Sequence, residues 1–325
     1  MKKIILLFLL VFLLTAALTG CPAQPMEPVE SPASDFQYEI NGEFIYIKKY
    51  IGTSSNVVIP SKIENLPVVS LEGMTGDDLI HIGVFEGSYV KTVLIPDSVL
   101  VIGVNAFKNC GELVSVTVPE NVEYLFGGAF QNCVKLENID FSKSKLVEIG
   151  AGAFEGCSKL SSIRFSGVLK KIEEKAFYDC SSLLEVDFPD TLVTVEEGAF
   201  ANCTLLKTVT VPENLDLHCF EALSSFHNVP SLEKIIFKEG RKEIKGYAFF
   251  AITSKVEITI PSSVEQFSPM PFFLYDAVEF VFLGNCPQIV EQEEFYGNPT
   301  IYYDPNTDGW ENCEWKDRYS LQPIE

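Results

Sequence analysis

Histidine is scarce in this chain: His81, His218 and His227 are the only three in 325 residues. Imidazole is the commonest metal ligand and the usual general base near neutral pH, so few sites of either kind are available. His81 stands alone, and His218, Cys219 and His227 show no spacing typical of a metal site. The nine cysteines include no Cys-x-x-Cys pair, which removes the commonest zinc signature. A Gly-rich phosphate loop, a nucleophile elbow and a paired-acid motif are also missing. These absences argue against an enzyme, a resident metal and a cofactor. Positive charge is short as well: 24 Lys and Arg face 45 Asp and Glu, for a net charge of -21. A field of that sign repels nucleic acid and anionic headgroups, suits a basic protein partner, and by itself keeps a protein soluble. The longest apolar run, residues 4–14, is too short and too early for a lasting transmembrane helix.

What the sequence does have is a period. Phe107, Phe130, Phe154, Phe177, Phe200, Phe226, Phe249 and Phe272 are separated by 23, 24, 23, 23, 26, 23 and 23 residues. Three residues after the phenylalanine comes cysteine five times running: Cys110, Cys133, Cys157, Cys180 and Cys203. Leucine follows at six, as in Leu113, Leu136 and Leu160, and apolar pairs at nine and eleven, as in Val116 with Val118 and Ile163 with Phe165. Proline often comes next (Pro119, Pro189, Pro212, Pro261), and a Gly-x-x-Ala-Phe return closes the unit. Weaker copies surround Phe85 and Phe295.

The apolar-polar-apolar step predicts a short strand with one buried face, and the proline that follows cannot donate to a ladder and ends it. A unit of this length cannot cover its own apolar side, so copies must stack, with their strands parallel and the Phe, Cys and Leu columns inside. Repeats lengthen one domain instead of adding domains. An array also spreads similar residues along a line, whereas catalysis gathers unlike ones at a point, so the pattern favours a binding surface.

The motif Ala-Phe-x-x-Cys-x-x-Leu-x-x-Val-x-x-Pro resembles the BspA-like, or Treponema-type, leucine-rich repeat over roughly residues 36–325. Val58-Ile59-Pro60-Ser61 through Val68 looks like the usual opening of such arrays. Ile301-Tyr302-Tyr303-Asp304-Pro305 with Gly309, Trp310 and Trp315 looks like their usual close. The resemblance implies a repeat solenoid: a right-handed coil with a parallel β-sheet on one face and short turns or helical segments on the other. It also implies a surface-displayed role in binding or adhesion.

At the N-terminus, Lys2-Lys3, an apolar run and Leu18-Thr19-Gly20-Cys21 form a secretory signal whose end resembles the bacterial lipobox. Cys21 is then expected to carry lipid and anchor the protein to the membrane. The alternative is an ordinary signal peptide with an incidental cysteine. Removing Lys2 and Lys3 leaves 22 basic against 45 acidic residues. Residues 22–34 hold four prolines and no aromatic residue, a composition suited to an extended tether. The expected organisation is a signal over 1–20, a tether over 21–35, a solenoid over 36–295 and a C-terminal cap over 296–325.

The five column cysteines read as free thiols serving as small apolar core residues, with bridges between neighbouring coils as the alternative. His218, Cys219 and His227 lie in the one 26-residue repeat and read as a loop insertion. Positions eight and ten after each phenylalanine should face outward on the strand side. The candidate binding residues there are Asn138, Asp140, Arg164, Glu185, Asp187, Lys234, Phe280 and Phe282. Asp140, Arg164 and Asp187 would stand in one column and could be explained as cross-strand charge pairs alone. Outward Phe280 and Phe282 would be either a binding patch or a surface covered by a C-terminal cap bearing Trp310 and Trp315. The functional expectation is an exported, lipid-anchored protein of the bacterial cell surface that binds a protein or other surface macromolecule, as an adhesin or recognition module. A structural envelope component without a foreign ligand is the alternative.

Overall fold

A computed structural model describes residues 28–75, 81–215, 225–244, 255–267, 278–289 and 298–324. Cys21 and its signal, His218, Cys219, Phe249, Phe272 and Phe295 lie outside the described residues. The chain divides into a leading segment, Met1–Glu30, and one compact unit, Ser31–Glu325. Residues 31–35, which composition assigns to the tether, belong to this unit. The backbone N–H of Ser31 donates to the Val58 carbonyl at 2.8 Å, and Ala33–Asp35 form a 3-10 turn.

The unit opens with an antiparallel hairpin, Phe36–Asn41 against Phe44–Tyr50, turned at Gly42, whose φ is +64°. A left-handed first loop residue matches the twist of a two-residue hairpin, and glycine adopts it without strain. From there the chain coils, and like strands of successive coils pair in parallel. One ladder consists of the three- to five-residue strands that the Val-x-Val step predicts. Its hydrogen bonding falls into separate sheets: Asn56–Val58, Thr92–Leu94 and Ser115–Thr117 form one, and Asn138–Asp140 with Ser162–Arg164 form a second. The third is a seven-stranded sheet from Glu185–Asp187 to Ser320–Pro323. Strands Thr208–Val211 and Val256–Ile260 stop directly before Pro212 and Pro261. The return side carries a second parallel ladder of two-residue strands, among them Val101–Ile102, Tyr124–Leu125, Glu148–Ile149, Lys171–Ile172 and Thr194–Val195. Turns occupy the rest of that side, and the helical segments among the described residues are 3-10 turns near the two ends of the unit.

The phenylalanine corner shows why these residues repeat. The ring of Phe107 lies 4.9 Å from Phe85 and 5.0 Å from Phe130. The column continues at 5.2, 5.1, 4.9 and 5.3 Å through Phe154, Phe177, Phe200 and Phe226, with planes within 10° of parallel. Tyr50 closes its N-terminal end against Phe85 at 5.1 Å. Phe141, Phe165 and Phe188, inward from the strands, meet Phe154, Phe177 and Phe200 edge-on. All these column rings are buried.

Around each ring the backbone is satisfied from the adjacent coil. The N–H groups of Phe107, Phe130, Phe154 and Phe177 each donate to an alanine carbonyl at 2.7 Å. The thiols of Cys110, Cys133, Cys157, Cys180 and Cys203 donate to the phenylalanine carbonyl of the preceding coil at 2.9 to 3.4 Å. All five are buried and free. Cysteine is therefore both core filler and second donor to a carbonyl that already accepts a backbone N–H within its own turn.

Candidate functional site

Because strand side chains alternate, every second residue of the longer-stranded ladder faces out. Paired strands place Thr92 beside Ser115, Asn138 beside Ser162, and Lys234 beside Glu257 in one outward column. A second outward column holds Leu94 beside Thr117, Asp140 beside Arg164, and Ile236 beside Thr259. Asn138, Asp140, Arg164, Glu185 and Asp187 are exposed and Lys234 half-buried, so the expected outward placement holds for all six.

For Phe280 and Phe282 it does not. Both point inward and are only 1 % exposed, in register with the buried Ile258 and Ile260. The cause is a one-residue slip. Val256 pairs with Val278, a spacing of 22 instead of 23, so counting forward from Phe272 lands on the wrong side of the strand. The outward residues there are Glu279 and Val281. Trp310 and Trp315 pack on Phe282: their rings lie 5.2 and 5.4 Å from its own, and both indoles are buried. The indole N–H of Trp310 donates to the Gly284 carbonyl at 3.1 Å.

The charge column also differs from expectation. Arg164 and Asp140 approach to 3.7 Å, whereas Asp187 meets Lys238 at 3.5 Å. Lys238 lies just past the strand two coils on, and it also binds Asp190 and the Phe188 carbonyl at 3.0 Å. Further along, Lys234 pairs with Glu257 at 2.7 Å and Lys255 with Glu279 at 2.6 Å. Next to them lies an open depression of about 380 Å³ lined by Glu257, Glu279, Val281, Tyr302, Gln322, Pro323 and Ile324.

The second ladder carries its own polar cluster. Lys171 sits among Glu196 at 2.9 Å, Glu173 at 3.0 Å and Glu148 at 3.8 Å, and the first two hold its ammonium above the usual lysine range. A hydrogen bond between the carboxyls of Glu148 and Glu173 raises the first and lowers the second, so Glu148 keeps the proton longer. Beside it, Tyr124 and Phe126 stand half-exposed with rings 6.2 Å apart. Among the described residues no group of His, Cys, Asp and Glu is arranged to hold a metal ion.

Two features escaped the sequence reading. One is the disulfide between Cys286 and Cys313, which ties the last coils to the Trp310 turn. Its only sequence signal was that both cysteines fall outside the column. The other is a run of left-handed residues two places after the column phenylalanines from Phe107 to Phe226: Asn109, Asn132, Gly156, Asp179, Asn202 and Asn228. Their side chains join coil to coil: Asn132 donates to Asn109 at 3.0 Å, Asn202 to Asp179 at 2.7 Å and Asn228 to Asn202 at 2.8 Å. Asn, Asp and Gly are the residues that adopt this conformation at least cost, and the same column read down the repeats would have shown it.

The family profile described as "BspA type Leucine rich repeat region" matches residues 78–207 and 170–302. No functionally curated protein matches the sequence. Several solved structures do. A leucine-rich repeat protein of T. pallidum is 24 % identical, over 78 % of this chain and 86 % of that one, with a TM-score of 0.36. A leucine-rich cell surface protein of Faecalibacterium prausnitzii is 18 % identical over 92 % and 95 %, with a TM-score of 0.42. The pneumococcal vaccine antigen PcpA is 12 % identical over 91 % and 98 %, with a TM-score of 0.36.

Proposed function

Since the chain belongs to the BspA-type leucine-rich repeat family, we propose that it is a display protein of the bacterial cell surface. Its solenoid binds a macromolecular partner, most simply a protein, through the outward face of the longer-stranded ladder. Export rests on the N-terminal signal, and anchorage on lipid attached at Cys21, with the proline-rich stretch as spacer. One observation carries the binding role. The inward columns repeat the same residues coil after coil, while the outward columns change from Thr and Ser to Asp and Arg and then to Lys, Ile and Glu. Stability explains the first pattern and constrains the second far less, since exposed cross-strand pairs such as Arg164 with Asp140 contribute only about 0–1 kcal/mol each, so the outward columns are free to be shaped by a partner.

The acidic balance favours a partner with a basic surface. Protease shaving of intact cells should remove the solenoid from outside, and globomycin, which blocks maturation of lipoproteins, should cause the unprocessed precursor to accumulate. Immobilised host-matrix and bacterial-surface proteins should then retain the wild-type protein but not an Arg164→Glu, Asp187→Lys double variant of unchanged circular dichroism. Equal retention of both would remove the sheet face from consideration. Altered envelope integrity with unchanged adhesion after deletion would favour the purely structural role.

A further inference from the structure

The depression at the C-terminal end of the outward face has a composition that the rest of the face lacks. Glu257 and Glu279 occupy directly paired positions on neighbouring strands, so their like charges sit one strand spacing apart, about 4.8 Å at the backbone. Two carboxylates so placed repel each other unless cations intervene. Here the cations are lysines at the rim: Lys234 serves Glu257, and Lys255, with a side chain 65 % exposed, serves Glu279. The floor and far wall are different in kind: Val281, the half-buried ring of Tyr302, and Pro323 with Ile324. The Gln322 amide completes the lining.

From this arrangement we propose that the depression receives an arginine side chain from an extended basic peptide of the partner. The proposal rests on the binding role argued above and names the chemistry that this part of the face recognises. A guanidinium is planar and carries five donors in a fork, which suits two carboxylates side by side better than a point-charged ammonium does. Its methylene stem lies over Val281 and Ile324, and its plane stacks on the ring of Tyr302. Lys255 is the exposed partner of the half-buried Glu279, and an exposed lysine is returned to water at little cost, so the incoming arginine displaces it to solvent. The net charge of -21 draws a basic peptide toward the surface before contact.

The test uses the full-length protein in mild detergent and a fluorescent capped hexapeptide alternating arginine with threonine, beside its lysine counterpart, read by anisotropy at about 50 and 150 mM salt. The arginine peptide should bind at least fivefold tighter than the lysine peptide. Glu257→Gln with Glu279→Gln should weaken it at least tenfold, and Tyr302→Leu should erase the preference for arginine. Lys255→Ala should tighten binding several-fold, because it removes the competitor, whereas Lys143→Ala, which pairs with Glu120 elsewhere, should not. Circular dichroism and melting confirm that each variant is folded. Equal affinity for the two peptides, or equal gains from the two lysine variants, would reduce the effect to general electrostatics and overturn the proposal. If the peptide arms fail while the immobilised-partner assay still responds to the outward double variant, this assignment alone falls. Failure of both removes the face.

Discussion

Phe177 shows what one residue contributes to this fold. Its ring stacks between Phe154 at 5.1 Å and Phe200 at 4.9 Å and receives the edge of Phe165. Truncation opens a cavity that neither neighbour can close, since each is held by its own coil. Phe177→Ala should therefore cost about 3–5 kcal/mol. Chemical denaturation measures it, and a loss below about 1 kcal/mol would mean the ring is not interior. The cysteines beside it raise a different question, that of reactivity. Burial pushes the Cys110 thiol up to about 11 and holds those of Cys133, Cys180 and Cys203 well above the ordinary thiol range. A thiol is nucleophilic only as thiolate, so these groups are inert at pH 8. All five column cysteines are also shut away from solvent, so iodoacetamide should leave them unlabelled in the folded protein and label all five in denaturant, as counted by mass spectrometry. Labelling of the native column would show that the coils open locally.

At the scale of the element, the turn after each phenylalanine is braced by a side-chain ladder that Gly156 interrupts. Its φ of +73° is close to the 60° of Asn132 and Asp179 on either side. Asparagine tolerates that conformation, restricts the unfolded chain and can rejoin the ladder once the Asn132 amide turns aside. Gly156→Asn should raise stability by roughly 0.5–1 kcal/mol in thermal or denaturant unfolding. A second brace crosses from one coil to the next at Glu239. Burial pushes its carboxyl up, yet N–H and hydroxyl donors from Ser262 and Ser263 outweigh that and leave it below the usual carboxylate value of 4.5. A folded value below the unfolded one means stabilisation that is complete above about pH 5 and lost as pH falls through the folded value. The stability gap between wild type and Glu239→Gln should therefore shrink between pH 7 and pH 3. A gap that stays constant would show that the carboxylate is not the acceptor. These elements also show what the sequence can and cannot convey. Period and alternation gave the coil, the buried rings and the outward side of each strand through Thr259. They failed at Phe280 and Phe282 because one residue missing from the spacing reverses every side chain after it. They failed at Asp187 because Lys238 reaches back across two strands, a feature of side-chain length that no column alignment contains. They left Cys286 and Cys313 unpaired because a cysteine count does not carry connectivity.

For the molecule as a whole, the governing quantity is the excess of 45 acidic over 24 basic residues. The ion pairs along both ladders, such as Lys135 with Glu112 at 2.6 Å and Lys242 with Glu265 at 2.6 Å, join exposed or half-exposed partners. Exposed pairs of this kind contribute about 0–1 kcal/mol each, and salt weakens them. Salt also screens the repulsion among carboxylates that have no cation by count, and that repulsion acts over many pairs at once. The screening length falls from about 30 Å at 0.01 M to about 10 Å at 0.1 M, which reaches long-range repulsion first and close contacts last. The folded coil holds its charges closer together than the unfolded chain does, so relief of repulsion favours the native state. Raising sodium chloride from about 10 to about 150 mM should therefore stabilise the protein by about 1 kcal/mol, or roughly 2–4 °C in Tm. Scanning calorimetry in a non-binding buffer decides the sign. A fall in Tm would mean that the pairs between coils outweigh the excess charge and that the polar columns, with the aromatic spine, hold the array together.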